Sequence, residues 1–306
     1  MVCSLASVAL QTAAHAAPPS SNGCPDESLK AEDLVASRAR QPEGASQSGT
    51  NWIPLDAITL RTAAQRRDFM LHDIRQHVAA RQSTFDLSEL DRVLGVMHSI
   101  KREKFLPAAQ KKAAYLPLSL DIGFCQTLSN AYIIAVMTAA AHVGPDSNVL
   151  DVGTGSGYQA AILSRLARHV QSIEIVPQLA LQASRRLKRM GYSNVDVVAA
   201  DGYAGWSKLA PFDAIIVTAG STQIPQPLLD QLKPGGRLIM PVGPTAIEEE
   251  IVLASKSTTG VVTRCTMGLA AFVPMTGRAQ GLAEESAGQV PSTVSRLPKC
   301  YSAAVT

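Results

Sequence analysis

The hydrophobic positions of this 306-residue chain follow two different rhythms. Over 58–81, Leu60, Ala64, Phe69, Ile74 and Val78 recur among Arg, Asp and Gln at helical spacing, which predicts an amphipathic helix. Ser88 stands where an N-cap would open a second helix, with Leu90, Val93, Leu94 and Met97 on its inner face. From Val149 onward short apolar runs alternate with helical patterns. Strands are predicted at 148–152, 170–176, 195–199, 212–218 and 237–242, and helices at 159–167, 177–190 and 225–232. Segments 251–255 and 261–267 read as an edge hairpin. The near-continuous apolar run Phe212 to Thr218 suits the centre of a parallel sheet. This alternation predicts an α/β fold, a doubly wound sheet with helices on both faces, preceded by a helical extension.

Residues 17–50, rich in Pro, Ser, Gly, Gln and Ala, cannot bury enough apolar surface to offset their ordering entropy. The expected organisation is therefore a flexible leader over 1–55, a helical part over 56–120, a core over 121–280 and a flexible tail over 281–306. Hydrophobic residues make up 46% of the chain, ample for a core, and the net charge of +3 gives no reason to expect a nucleic-acid partner. No apolar run is long enough to span a bilayer. Five cysteines at irregular spacing, none in a CxxC pair, read as reduced thiols and offer no metal motif.

Candidate chemistry begins at Asp151-Val152-Gly153-Thr154-Gly155-Ser156-Gly157, directly after a predicted strand and before a helix. Glycines there allow a tight turn and close approach of a ligand. The spacing departs from the dinucleotide fingerprint GxGxxG, and no GKS or GKT follows to make a phosphate loop. Glu174, at the end of the next strand, is placed to accept hydrogen bonds from ribose hydroxyls; Asp201, after the third, is placed to receive an adenine amine. Each acid alone reads as a solvated loop carboxylate. Three at successive strand ends read as a nucleoside site, because ligands of open α/β sheets bind outside those ends.

At these residues the chain resembles class I S-adenosylmethionine-dependent methyltransferases, whose sheet is Rossmann-like. Within that superfamily several stretches are similar to protein-L-isoaspartate O-methyltransferases. They are Gly153 to Ala161, Ile173-Glu174-Ile175-Val176, Asp201-Gly202-Tyr203 with Gly205-Trp206, and Ile215 to Ala219. Pro241-Val242-Gly243, Gln126-Thr127-Leu128-Ser129 and Phe272-Val273-Pro274-Met275-Thr276 extend the resemblance on both sides. It implies methyl transfer from S-adenosylmethionine to the α-carboxylate of isoaspartyl residues in damaged proteins. It further implies Ser129 as the catalytic residue, and Gln126, Thr127, Leu128, Asp151, Gly153, Thr154, Gly155, Gly157, Glu174, Asp201, Gly202 and Thr276 around the cofactor. A simpler role for Ser129 is the N-cap of a helix starting near Tyr132.

The chain departs from the family pattern on either side of the Gln126 to Ser129 segment. Gly123-Phe124-Cys125 stands where the family has Gly-His-Gly, and Asn130-Ala131 replaces Gln-Pro or Lys-Pro after the serine. Both changes bear on substrate choice and spare the cofactor motifs. The rival expectations are a small-molecule methyltransferase on the same fold, a non-catalytic cofactor-binding protein and, least supported by the glycine spacing, an NAD-dependent dehydrogenase. The leader has an Ala14-His15-Ala16 segment like a signal-cleavage site but no preceding basic residue. Cytoplasmic location, as a monomer without membrane or nucleic-acid partners, is therefore the expectation, with export the alternative.

Overall fold

The computed structural model describes residues 62–81, 85–244, 249–279 and 297–300. The leader assigned to 1–55 and most of the tail assigned to 281–306 lie outside the described residues.

Helix α1 (Ala63–Arg81) and helix α2 (Leu87–Ser99) form the expected helical part, and α2 buries Leu90, Val93, Leu94 and Met97 as predicted. Its cap, however, is Asp86 and not Ser88. The Asp86 carboxylate accepts the N–H groups of Ser88 and Glu89 at 3.0 and 3.2 Å and also the Ser88 hydroxyl at 2.6 Å. A carboxylate satisfies several donors at the positive end of the helix at once, which a hydroxyl at Ser88 does not.

A two-stranded hairpin that the hydrophobic rhythm does not disclose follows: β1 (Leu120–Gly123) and β2 (Gln126–Leu128). Gly123 pairs with Gln126, so Phe124 and Cys125 form a two-residue turn with both φ values left-handed, at 58° and 57°. Turns of that kind favour Asn-Gly, and an L side chain held there costs roughly 1–2 kcal/mol per residue. Helix α3 (Ala131–Ala140) then leads into the sheet.

The sheet comprises β3 (Asn148–Val152), β4 (His169–Glu174), β5 (Val195–Ala199), β6 (Phe212–Val217), β7 (Leu232–Val242), β8 (Glu249–Lys256) and β9 (Val262–Ala270). Their order is β5-β4-β3-β6-β7-β8-β9, the first five parallel and the last two antiparallel. Helices α4 (Tyr158–Ser164), α5 (Pro177–Arg189) and α6 (Gln226–Asp230) make the crossovers. Successive core residues point to opposite faces: Val149, Ala214 and Ile216 join one apolar cluster, and Leu150, Ile215 and Val217 the other. Burial on both faces is why these strands read as continuous apolar runs. Chain order reverses between β3 and β6, which opens a crevice at the carboxyl ends of β3, β4 and β6.

The expectation of reduced thiols is overturned. Cys265 and Cys300 form a disulfide with 5.0 Å between their Cα atoms, and Cys125 is disulfide-bonded as well. Irregular spacing concealed the pairing because 297–300 pairs alongside β9 in the parallel sense, which brings Cys300 to Cys265 across a sequence separation of 35. The Thr266 N–H donates to the Pro298 carbonyl at 2.9 Å and the Cys300 N–H to the Thr266 carbonyl at 2.8 Å, so 297–300 lies along β9. A bridge across a sequence separation of 35 stabilises the fold by roughly 3–4 kcal/mol through the unfolded chain's lost freedom.

Replacing Asp86 by Ala should lower unfolding free energy by about 1 kcal/mol with no change in denaturant slope, measurable by urea titration.

Candidate functional site

The crevice is an open cleft of about 550 Å³, its volume counted to the solvent mouth. Gln126 and Thr127 form one wall, Gly153, Gly155 and Glu174 another, and Gly202 and Thr276 complete the rim. Seven of the cofactor residues expected from the sequence therefore meet in one place. Val152, Ile173 and Ile175 add an apolar floor, while Thr218 and Ala219 stand at the end of β6. These apolar residues were missed because their type alone marks them as core; only their position at strand ends separates them from it.

Asp151, Thr154, Gly157, Asp201, Leu128 and Ser129 are not part of the lining. Asp151 is 0% exposed beneath the glycine turn, where its Oδ2 accepts the Ser172 hydroxyl at 2.7 Å and its Oδ1 has no hydrogen-bond partner. Ser172 in turn lies 2.6 Å from the Thr154 hydroxyl. These three residues brace the turn from below. Gly157 caps α4 with φ 87° and packs toward Leu187 of α5. Leu128 is buried in the core, and Ser129 follows it one residue past the end of β2.

The turn itself is held by backbone bonds, from the N–H groups of Gly153 and Thr154 to the Ile173 carbonyl at 2.8 and 3.1 Å. At Gly153, φ is 98° and an added Cβ would stand 2.5 Å from the Thr218 hydroxyl, so only glycine fits. Glu174 accepts the Gly155 N–H at 2.7 Å through one oxygen and the Val176 N–H at 2.9 Å through the other. Asp201 likewise accepts from Tyr203 at 2.9 Å and from Arg278 at 2.9 Å. It thereby ties the closing segment that carries Thr276 to the end of β5. Gln280, next in that segment, lies outside the described residues.

The cap of α3 is Asn130, whose Oδ1 accepts the Tyr132 N–H at 2.9 Å. The helix-cap reading therefore moves from Ser129 to Asn130, which leaves the Ser129 hydroxyl outside the cap. The Ser129 carbonyl accepts Nη2 of Arg102 at 2.8 Å.

Two carboxyls near the cleft resist ionisation. Burial pushes Asp151 up to about 7, with the Glu174 charge adding to the rise and the Ser172 hydrogen bond opposing it. Burial also raises Glu174, against the N–H groups of Val176 and Gly155. A third acid, Glu249 at the start of β8, is 2% exposed behind Gly220 and is pushed by burial up to about 7. Its Oε2 accepts the Phe272 N–H at 2.9 Å.

Residues 75–280 match the family model described as Protein-L-isoaspartate(D-aspartate) O-methyltransferase (PCMT). The chain belongs to this family. It is 48% identical over 209 residues to protein-L-isoaspartate O-methyltransferase 2 of Syntrophobacter fumaroxidans, covering 68% of this chain and 85% of the relative. Its identity to the Polaromonas sp. protein of the same name is 48% over 188 residues, covering 61% and 89%. Among solved structures, a protein-L-isoaspartate O-methyltransferase superposes with a TM-score of 0.62 at 24% identity, covering 72% of this chain and 69% of that one. A candidate Plasmodium falciparum member in complex with S-adenosyl-L-homocysteine gives 0.57 at 20%, covering 69% and 98%. The two superpositions establish the class I methyltransferase fold. Family membership displaces the dehydrogenase expectation.

Glu249 titrates higher in the folded chain than in the unfolded one. Between its ordinary 4.5 and about 7 the folded state holds the proton more tightly than the unfolded state, so its stabilisation is present at acid pH and is lost as pH rises through 7. Glu249→Gln should therefore flatten the fall in melting temperature between pH 5 and 8 and gain on the wild type most at pH 8, read by thermal unfolding across that range.

Proposed function

We propose that this chain transfers a methyl group from S-adenosylmethionine to the α-carboxylate of L-isoaspartyl residues in damaged proteins and peptides, initiating repair through a succinimide. The observation that carries the reading is the convergence of Gln126 and Thr127 with Gly153, Gly155 and Glu174 on one cleft, in a member of this family. The residues fit the cofactor. Glu174 lies in the lining with its carboxylate fixed by the Gly155 and Val176 N–H groups, and the left-handed φ values of Gly153 and Gly155 leave the backbone of the turn open to close approach.

S-adenosylmethionine, when bound, supplies an electrophilic methyl group that an ionised carboxylate accepts without a general base. The isoaspartyl carboxylate, with a reference pKa of about 3.5, is ionised at neutral pH. The protein's task is therefore alignment and exclusion of water, worth several kcal/mol of barrier. Glu174 would hold the ribose hydroxyls, and the Gly153 turn would hold the amino-acid end of the cofactor. Ser129 orients the substrate carboxylate by donating its hydroxyl proton in a hydrogen bond. Asp201 fixes the closing segment over the site. The enzyme acts as a monomer on proteins and peptides, without a nucleic-acid or membrane partner; among the described residues no helix is long and apolar enough to cross a membrane.

The test uses paired peptides differing only in aspartate or isoaspartate, with methyl-labelled cofactor. Base-labile label on the isoaspartyl peptide alone is expected, and Ser129→Ala should lower kcat roughly 10- to 100-fold at nearly unchanged cofactor affinity. No label, with cofactor binding intact, would replace this reading with a small-molecule methyltransferase or a non-catalytic binding protein.

A second reading concerns location. The Cys265–Cys300 disulfide favours maturation in an oxidising compartment over the cytoplasm, and Ala14-His15-Ala16 in the leader supports it. Protein recovered from its native host with thiols blocked at lysis should migrate as the disulfide form on non-reducing gels and fractionate outside the cytoplasm. Fully alkylated Cys265 and Cys300 in that experiment would restore the cytoplasmic expectation.

A further inference from the structure

Arg102 is 0% exposed and heads the fully buried side chains by volume. It forms no ion pair among the described residues: the carboxylate of adjacent Glu103 instead accepts the Tyr115 hydroxyl at 2.5 Å. Its Nε donates to the Ala114 carbonyl at 2.8 Å and its Nη2 to the Ser129 carbonyl at 2.8 Å, while Nη1 has no acceptor. The guanidinium carbon lies 5.1 Å from the centroid of the Tyr158 ring, which Phe105 meets edge-on at 5.3 Å.

A buried cation without a carboxylate is costly to keep, and a neutral side chain of similar length would fill the space without that penalty. What the guanidinium adds is a connection. It joins the turn of residues 102–105 to Ala114, to the exit of β2 at Ser129, and to Tyr158 in the first turn of α4, directly after Gly157. One planar group thus sets the backbone of the substrate segment against the helix that ends the glycine turn. Its positive charge also lies directly behind the Ser129 peptide, where it favours an anion at that serine.

We propose that Arg102, given the isoaspartyl reading of the cleft, is a positioning residue for methyl transfer that fixes the Ser129 segment relative to the cofactor turn and draws the substrate carboxylate to it. The two parts separate in two variants. Arg102→Lys keeps the charge but cannot bridge two carbonyls with one rigid plane; Arg102→Met keeps length and loses the charge.

Both variants are compared with the full-length wild type by steady-state kinetics on an isoaspartyl peptide, calorimetric binding of S-adenosylhomocysteine, and amide hydrogen exchange. Arg102→Met is expected to raise peptide KM about 10-fold or more with cofactor-product affinity within about 3-fold. Arg102→Lys should restore KM to within about 3-fold while kcat stays about 10-fold down. Exchange over 126–132 should quicken about 10-fold in either variant, with 153–157 unchanged. Loss of S-adenosylhomocysteine affinity in step with KM, or wild-type kinetics and exchange in Arg102→Lys, would overturn the proposal. Should Arg102→Met fail to fold, the kcat–KM split and the exchange of Arg102→Lys decide alone. A wild type inactive on isoaspartyl peptide would sink the functional reading itself, and unchanged exchange at 126–132 would then sink the grip as well.

Discussion

The hydrogen bonds that hold the Gly153 turn to β4 are the constraint on which the cleft depends. Two N–H groups of the turn converge on the Ile173 carbonyl, and Glu174, the next residue, takes a third from Gly155. Below them the Asp151–Ser172–Thr154 chain fills the space with mutually satisfied polar groups, save for one Asp151 oxygen. The glycines are thereby fixed and not merely permitted. A turn so anchored presents its backbone to a ligand with little ordering left to do, which is the condition for using binding energy on alignment.

The helical part brings the other wall of the cleft to that turn. Helices α1 and α2 bury one apolar face each and share a cluster with α3 and α4. The β1–β2 hairpin therefore sits over the open ends of the sheet, delivering Gln126 and Thr127 to the cleft. The left-handed Phe124–Cys125 turn is the one strained feature of that approach. Its partly buried ring packs against the core, and Cys125 is covalently tied, so contacts elsewhere hold a conformation that the local sequence disfavours.

At the far edge of the sheet, the segment around Cys300 pairs with β9 at Thr266. Two backbone hydrogen bonds and a disulfide hold that segment in place. Pairing at that point interrupts the edge as a template for intermolecular pairing.

The parallel strands, their crossover helices and the acids at their ends were legible in the sequence because each depends on local periodicity: Asn148–Val152 and Val195–Ala199 coincide with the predicted bounds. The glycine turn and Glu174 were legible for the same reason, since chain order places them at strand ends. The hairpin at 120–128 was not, being too short to show a period. Nor was the separation of Asp151 and Asp201 from the cleft lining, because residue type and spacing do not say that Asp151 turns beneath the glycine turn to the Ser172 hydroxyl while Asp201 is taken by the Tyr203 and Arg278 N–H groups. The pairing of Cys265 with Cys300 and the grip of Arg102 on Ser129 lie further still from the sequence. Both join residues tens of positions apart or on different elements, and only chain packing brings such groups within bonding distance. The sequence by itself determined the order of the elements and the chemistry at their ends; tertiary structure decided which of those groups face the ligand and which hold the frame.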